Sequence, residues 1–280
     1  MKSNTRCLAH STANPRAFTI LAVWLLAFAA IFMPLIVQAK EPAMSKPTVV
    51  LVHGAFAGSS SWNRVVAKLL AKGYPVMALA NPLRGVQTDA SYVANTLDTI
   101  DGPVILVGHS YGGTVITVAA TGKRNVKALI YVSGLAPDVG ESAAMQVGKF
   151  PGSTLGPTLA PPVTLADGGK DLYIRQDKFH AQFAADLSSS EAKVMAATQR
   201  PILAAAFDEP AGAPAWKTIP SWFLYGSLDK NIPPAVHAFM AERARAKKAV
   251  EINGASHVVM MSHPDALVKL VDAASAQDMD

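Results

Sequence analysis

The chain has 280 residues, of which 50% are hydrophobic and 16% are charged, and it carries a formal net charge of +5. This balance excludes an intrinsically disordered protein. Cys7 is the only cysteine, so an intramolecular disulfide framework is excluded, and so is a cysteine nucleophile in the rest of the chain.

The N-terminus has the features of an export signal. Three basic residues precede Ala17 to Val37, a 21-residue run without a charged side chain, and small residues follow up to Ala39. We therefore interpret residues 1–39 as a signal peptide and expect a periplasmic or extracellular protein. The alternative is an uncleaved anchor formed by residues 17–37, because 21 apolar residues can span a bilayer. Pro34 favours cleavage, since it would break the helix just before the cut.

The same segment accounts for most of the positive charge. Residues 1–39 contain three basic and no acidic side chains, so residues 40–280 retain 22 basic and 20 acidic side chains, a net charge of +2. No block of Lys or Arg remains there, so we expect no nucleic-acid partner. Contact with a membrane is expected only if the N-terminal segment stays uncleaved, and no pattern indicates an oligomeric state.

Residues 40–280 alternate between predicted strands and helices. Apolar runs bounded by Pro, Gly or polar residues predict six strands, at residues 48–52, 75–80, 104–107, 126–132, 219–225 and 249–252. Helical spacing predicts helices at residues 62–72, 90–100, 111–121, 234–247 and 264–274. This alternation indicates an α/β fold in which helices cover both faces of a mainly parallel sheet.

One segment, about residues 138–216, interrupts the alternation. It contains no convincing buried strand, and its residues 148–169 hold five Gly and four Pro, which predicts a loop. Helical stretches are expected near residues 171–185 and 190–197. Because long structured insertions in α/β enzymes commonly lie at the active site, we expect a lid rather than a loose excursion. Four aromatic residues form either the core of this lid or a pocket wall: Phe150, Tyr173, Phe179 and Phe183.

The strongest chemical signal is a G-x-S-x-G pattern, Gly108 to Gly112, placed between a predicted strand and a predicted helix. A serine in such a sharp turn is presented at the sheet edge beside a helix N-terminus, so we predict Ser110 as a nucleophile. The free backbone N–H groups of the helix start can bind an oxyanion. We expect one donor from Tyr111 and a second from the loop after the first strand, at Ala55 or alternatively at Phe56.

A serine nucleophile needs a base, and the base needs an acid partner. His257 follows the last predicted strand and is the leading candidate for the base. Asp229 follows the preceding strand and can converge on His257, whereas Asp138 is the rival acid. The other histidines have expected structural roles: His109 in packing beside the turn, His53 in shaping the oxyanion loop, His263 in a capping or purely structural role at a helix start, and His180 and His237 as surface or lid side chains.

These residues, read together with their neighbours, resemble the α/β-hydrolase superfamily and its small branch of esterases and hydroxynitrile lyases, which includes plant methyl-ester esterases and bacterial homologues. The resemblance covers about residues 47–274. It rests on four stretches: Val52 to Ala55, Gly108 to Gly113, Ser227 to Pro233, and Gly254 to Ser262. The chain order Ser110, Asp229, His257 is also the order of that superfamily.

The resemblance implies an α/β-hydrolase fold of about six strands with a helical cap, and a reaction without metal or cofactor. It implies Ser110, Asp229 and His257 as a triad, with Ala55 and Tyr111 as oxyanion donors. Lyase members of the branch carry a lysine after the triad histidine, where this chain has Val258, so lyase activity is disfavoured.

We therefore expect an exported serine hydrolase in residues 40–280 that acts on small to medium apolar carboxylic esters. The alternatives are a cofactor-free perhydrolase or haloperoxidase, a hydroxynitrile-lyase-like enzyme, and a homologue that binds a small ligand without turnover.

Overall fold

The computed structural model describes residues 46–277. The predicted signal peptide, Cys7 and the alternative anchor lie outside these residues. Within the described part of the chain, no helix has the length and apolar character needed to cross a membrane.

The described residues form nine strands: β1 (Thr48–Val52), β2 (Val76–Leu79), β3 (Val104–His109), β4 (Val126–Val132), β5 (Val163–Thr164), β6 (Lys170–Leu172), β7 (Ile202–Leu203), β8 (Ser221–Gly226) and β9 (Lys248–Ile252). Six of them form a parallel sheet in the order β2-β1-β3-β4-β8-β9. The predicted six-stranded α/β fold is confirmed. Every residue of β3 and β8 is buried, because helices cover both faces of a parallel sheet of this kind.

The described helices are α1 (Asn63–Ala71), α2 (Val86–Leu97), α3 (Tyr111–Ala119), α4 (Ala143–Val147), α5 (Gln176–Phe183), α6 (Ser189–Thr198), α7 (Ala205–Asp208), α8 (Pro234–Arg243), α9 (Val259–Ser262) and α10 (Pro264–Ser275). Helix α1 packs against α10, and α2 packs against α3. The core is formed by the sheet and the apolar faces of these helices.

Helix α2 begins four residues earlier than its sequence pattern predicts. The carboxylate of Glu209 accepts the backbone N–H groups of Val86 at 2.8 Å and Gln87 at 3.0 Å. These amides lack a partner within the helix, and a negative charge is favourable at a helix N-terminus. Glu209 is more than 100 residues from Val86 in the chain. The local sequence of α2 therefore did not reveal where the helix begins.

Residues 138–216, called the cap segment below, contain α4 to α7 and a small antiparallel sheet of β5, β6 and β7. The sequence predicts no convincing buried strand here; the structure has three short ones, of which β5 is exposed and β6 and β7 each contain one buried residue. The first long helix of the segment begins at Gln176 rather than near Asp171, because Asp171 belongs to β6 and pairs with both neighbouring strands. Strands of two or three residues, mostly exposed in β5, leave no alternating apolar pattern to detect.

Candidate functional site

The polar residues expected to carry chemistry lie at the carboxyl ends of the parallel strands. Ala55 follows β1, Ser110 follows β3, Asp229 follows β8 and His257 follows β9. Parallel strands end at the same edge of a sheet, and ligands bind at that edge in open α/β folds. The topology therefore brings together residues that are up to about 200 positions apart in the chain.

Ser110 occupies a sharp turn between β3 and α3. Its backbone has φ +55° and ψ −126°, a conformation that costs roughly 1–3 kcal/mol and persists only where surrounding contacts impose it. The turn is crowded, since a Cβ added at Gly108 would lie 2.6 Å from the carbonyl oxygen of Gly112. The carbonyl of Ser110 also accepts the N–H of Leu135 at 3.1 Å. The turn is thus held rigidly, and the Ser110 side chain, 9% exposed, faces the cavity described below.

His257 and Asp229 form a buried pair. The Nδ1 atom of His257 lies 2.7 Å from Oδ2 of Asp229, and His257 is only 1% exposed. The loops that carry them are tied by backbone hydrogen bonds, because the N–H of Leu228 donates to Ala255 O at 3.0 Å. This pairing leaves Nε2 of His257 as the ring nitrogen without a hydrogen-bond partner among the described residues.

The environment of Asp229 favours its charged form. Burial alone would raise the pKa of Asp229, but the two neighbouring histidines, His257 and His237, hold that pKa well below its ordinary value. Oδ1 of Asp229 also accepts the N–H groups of Asn231 at 2.8 Å and Ile232 at 3.0 Å. A carboxylate with this many donors stays ionised and fixed in orientation.

The hydrogen bonds of the backbone N–H groups near Ser110 separate the expected oxyanion donors, Ala55 and Tyr111, from the alternative, Phe56. The N–H of Phe56 donates to the carbonyl of Arg200 at 3.0 Å, so it is already occupied. Among the hydrogen bonds of the described residues, none uses the N–H of Ala55 or of Tyr111. Both residues line the same cavity as Ser110, so Ala55 is a better candidate than Phe56.

The cavity at Ser110 is small, and side chains of the cap segment form part of its wall. Its volume is about 30 Å³, enough for water but far below the roughly 300–1,000 Å³ of typical ligand pockets. The strand ends contribute Ala55, Ser110, Tyr111 and His257, and the cap segment contributes the apolar side chains of Val147, Leu155, Phe183 and Phe207. Ligand entry therefore requires cap side chains to move.

Of the four aromatic residues considered for a pocket wall, only Phe183 lines this cavity, where its ring lies 4.9 Å from the ring of His257. Phe179 packs behind Phe183 at 4.9 Å, and Phe150 packs on Phe239 at 6.0 Å. A larger cavity of about 360 Å³ lies between the start of α1 and helix α6. It shares Phe56 with the cavity at Ser110 but does not include the serine.

The remaining polar candidates lie apart from Ser110 or beneath it. Asp138, the rival acid, pairs with Lys217 at 2.6 Å and has no described contact with His257.

His109 is fully buried, and its Nε2 lies 3.1 Å from the carbonyl oxygen of His257. Burial and the neighbouring His257 keep the pKa of His109 well below its ordinary value. His109 thus supports the loop that carries His257.

Two other histidine expectations have different outcomes. His53 lies under the loop after β1, where its Nδ1 donates to Gly54 O at 2.9 Å and its Nε2 accepts the N–H of Asn81 at 3.1 Å. The expectation that His237 is a surface or lid side chain is wrong, because His237 is fully buried and its Nε2 lies 3.3 Å from Oδ2 of Asp229. Sequence reasoning missed this residue because the burial of a polar side chain within a helix depends on tertiary packing.

Comparison with known families gives a match to the model described as the alpha/beta hydrolase family, over residues 49–270. The chain belongs to this family.

Two curated relatives place it more closely within the family. Methylesterase 8 of Arabidopsis thaliana is 30% identical over 132 residues, which cover 42% of this chain and 48% of the relative. Alpha-hydroxynitrile lyase of the same plant is 26% identical over 81% of this chain and 95% of its own length. The chain thus matches about half the length of the methylesterase and nearly all of the lyase. The expected resemblance to the branch of esterases and hydroxynitrile lyases is confirmed.

The fold agrees with that assignment. The crystal structure of polyneuridine aldehyde esterase superimposes with a TM-score of 0.71, covering 82% of this chain and 99% of the other, at 19% identity. At this level of identity the likeness concerns the fold alone.

Proposed function

We propose that the protein is an exported serine hydrolase that cleaves small to medium apolar carboxylic esters. The observation that carries the proposal is the arrangement of His257: its Nδ1 is bound to the buried Asp229, its Nε2 has no hydrogen-bond partner among the described residues, and the residue lines the cavity that contains Ser110. An imidazole oriented by a carboxylate, with the second nitrogen available beside a hydroxyl, is the arrangement that activates a serine.

The reaction follows from these positions. Neutral His257 takes the proton of Ser110 at Nε2, and the serine oxygen attacks the ester carbonyl carbon. The backbone N–H groups of Ala55 and Tyr111 bind the resulting oxyanion, an interaction in which each donor typically contributes about 10²–10³ in rate. The imidazolium then protonates the leaving alcohol, and a water molecule, deprotonated by His257, releases the acid from the acyl-serine.

The cavity lining supports an apolar substrate of limited size. Apart from the expected reactive groups, the walls contain mainly aliphatic and aromatic side chains, among them Leu135, Val147, Leu155 and Phe207. Such a lining favours an alkyl or aryl acyl group and offers no cation to bind a charged one. The methylesterase among the relatives supports ester chemistry. Val258, fully buried after His257, offers no positive charge for a leaving cyanide, which supports hydrolysis over the lyase reaction.

A panel of p-nitrophenyl esters with acyl chains of two to eight carbons tests the proposal. We expect saturable hydrolysis by the mature protein and a loss of at least about 10⁴-fold in kcat for Ser110→Ala. Ser133→Ala is the matched control, because Ser133 is also buried at a strand end, its hydroxyl has no described partner, and it does not line the cavity. Equal rates for Ser110→Ala and the parent protein would contradict the proposal.

Export is tested separately by N-terminal sequencing of the protein from each cell fraction. We expect a soluble exported form that begins at Lys40. An intact N-terminus found only in the membrane fraction would instead support the anchor.

A further inference from the structure

We infer that His237 is a positioning residue: its Nε2–H binds Asp229 as a second imidazole donor and moderates how strongly Asp229 stabilises the protonated form of His257. The inference rests on the proposed function of Ser110, Asp229 and His257 and extends it to a residue in helix α8.

The geometry places two histidines on one carboxylate oxygen. Oδ2 of Asp229 lies 2.7 Å from Nδ1 of His257 and 3.3 Å from Nε2 of His237. The other oxygen, Oδ1, is already occupied by two backbone N–H groups. Asp229 is therefore held by four donors, and only the two on Oδ2 come from side chains.

The hydrogen-bonding of His237 fixes the role of its Nε2. A carboxylate only accepts, so Nε2 of His237 must carry a proton whether the ring is neutral or charged. Nδ1 of His237 is buried and has no hydrogen-bond partner among the described residues. The ring also stacks on Tyr225 with centroids 5.0 Å apart. Among the described residues, the single polar contact of this buried ring is thus the one to Asp229.

Sharing Oδ2 has a predictable electrostatic consequence. A carboxylate that donates electron density to two N–H groups stabilises each one less than it would stabilise a single donor. Removal of His237 therefore makes Asp229 a stronger partner for protonated His257. The direction is the same if His237 is charged, because a nearby cation also disfavours protonation of His257.

The titratable surroundings are few. Asp229 and Tyr225 face His237 from β8 and the loop that follows it. His257 is faced by Asp229 and by His109 from β3, whose ring centroid is 4.8 Å away. From the cap segment, the carboxylate of Asp186 accepts a hydrogen bond from the hydroxyl of Ser256, which precedes His257. Substitution of His237 leaves the other groups unchanged.

The first test is the dependence of kcat/KM on pH for a p-nitrophenyl ester. In His237→Phe, which keeps a ring on Tyr225 and loses the donor, we expect the midpoint of the acid limb to rise by about half a pH unit or more. His237→Gln, whose side-chain amide retains an N–H donor, restores a midpoint close to that of the parent. Tyr225→Phe is the packing control and leaves it unshifted. An unshifted His237→Phe, or equal shifts in the Gln and Phe variants, would overturn the inference.

The second test needs no turnover and no variant at position 237. In protein with ¹⁵N-labelled histidine, carrying Ser110→Ala to prevent chemistry, NMR reports the protonated nitrogen of each buried ring. We expect His237 to carry its proton on Nε2 and His257 to carry one on Nδ1. A neutral His237 protonated only on Nδ1 would overturn the inference. If the parent protein hydrolyses no ester, the proposed function fails while this measurement still decides the role of His237.

Discussion

The strand ends and the cap segment meet at the same cavity but contribute opposite kinds of side chain. The strand-end loops provide the hydroxyl, the imidazole and the free amides; backbone hydrogen bonds hold Ser110 to Val132 of β4 and join the loops that carry Asp229 and His257. The cap segment provides Val147, Leu155, Phe183 and Phe207, which are apolar. Under the proposed function, the difference separates two tasks: the sheet edge fixes the geometry of the reaction, whereas the cap segment selects which acyl group reaches it.

The largest expected effect on the sheet side, after loss of Ser110, comes from Asp229→Asn. An asparagine amide can donate to Nδ1 of His257 and so favours the wrong tautomer for a base at Nε2, which costs about 10⁴-fold in kcat. Steady-state kinetics at the pH plateau measures this loss. Asp138→Asn, which removes the rival acid paired with Lys217, leaves kcat unchanged; a larger loss in Asp138→Asn than in Asp229→Asn would reverse the assignment.

On the cap side, Phe183→Ala is expected to change selectivity more than chemistry. Loss of this buried ring destabilises the fold by about 3–5 kcal/mol and enlarges the cavity beside His257. We expect the preference for octanoyl over acetyl esters to rise about tenfold. The ratio of kcat/KM values measures it.

Phe150→Ala is the matched control for that change, because Phe150 lies in the same cap segment but packs on Phe239 rather than on the cavity. It lowers stability without altering chain-length preference. A selectivity change in Phe150→Ala equal to that in Phe183→Ala would show that the cap acts through general loosening.

A smaller effect concerns the pH dependence of the sheet edge. Burial lowers the pKa of His53 from 6.5 to about 4. Protonation of Nε2 would also break a hydrogen bond, because this nitrogen accepts the N–H of Asn81. Between about pH 6.5 and pH 4 the unfolded chain binds this proton and the folded protein does not. The free energy of unfolding therefore falls as pH falls through this range, by about 3 kcal/mol in total, and is independent of His53 above it.

Chemical denaturation at a series of pH values measures this loss. His53→Gln makes the dependence less steep, with the buried His109 still contributing, whereas His263→Gln, a change at an exposed histidine, leaves it as in the parent. An equally steep fall in His53→Gln would assign the pH dependence to other groups.

The smallest expected effect concerns Glu209 of the cap segment, whose carboxylate binds the backbone N–H groups at the start of α2. Glu209→Gln removes the charge that caps α2 and lowers the free energy of unfolding by about 1 kcal/mol, with kcat/KM unchanged. Thermal unfolding measures the loss. An unchanged midpoint would mean that water replaces the carboxylate without cost.

The same contrast explains which features the sequence revealed. The bounds of β1 and β4 were predicted to the residue because strands buried on both faces are continuous apolar runs. Ser110 and Asp229 stood out because each follows such a run, and His257 stood out because it follows the last strand of the sheet. Two features were not predicted: the strands β5 to β7 of the cap segment, and the Glu209 carboxylate that binds the first amides of α2. Both depend on contacts between distant parts of the chain.

His237 illustrates the same limit within the site. Its helix was predicted correctly, but which side of a helix faces a carboxylate is decided by tertiary packing. Two apolar neighbours at helical spacing, Val236 and Met240, are buried with it, and this spacing was the only local signal that His237 faces inward.

The central claim, that Ser110 is the nucleophile activated by His257, is tested most directly by mass spectrometry of the intact protein after reaction with a fluorophosphonate. The account predicts one covalent adduct, mapped by peptide sequencing to Ser110, absent from Ser110→Ala, and formed far more slowly in His257→Ala. An adduct on another residue, or equal labelling of Ser110→Ala, would contradict it.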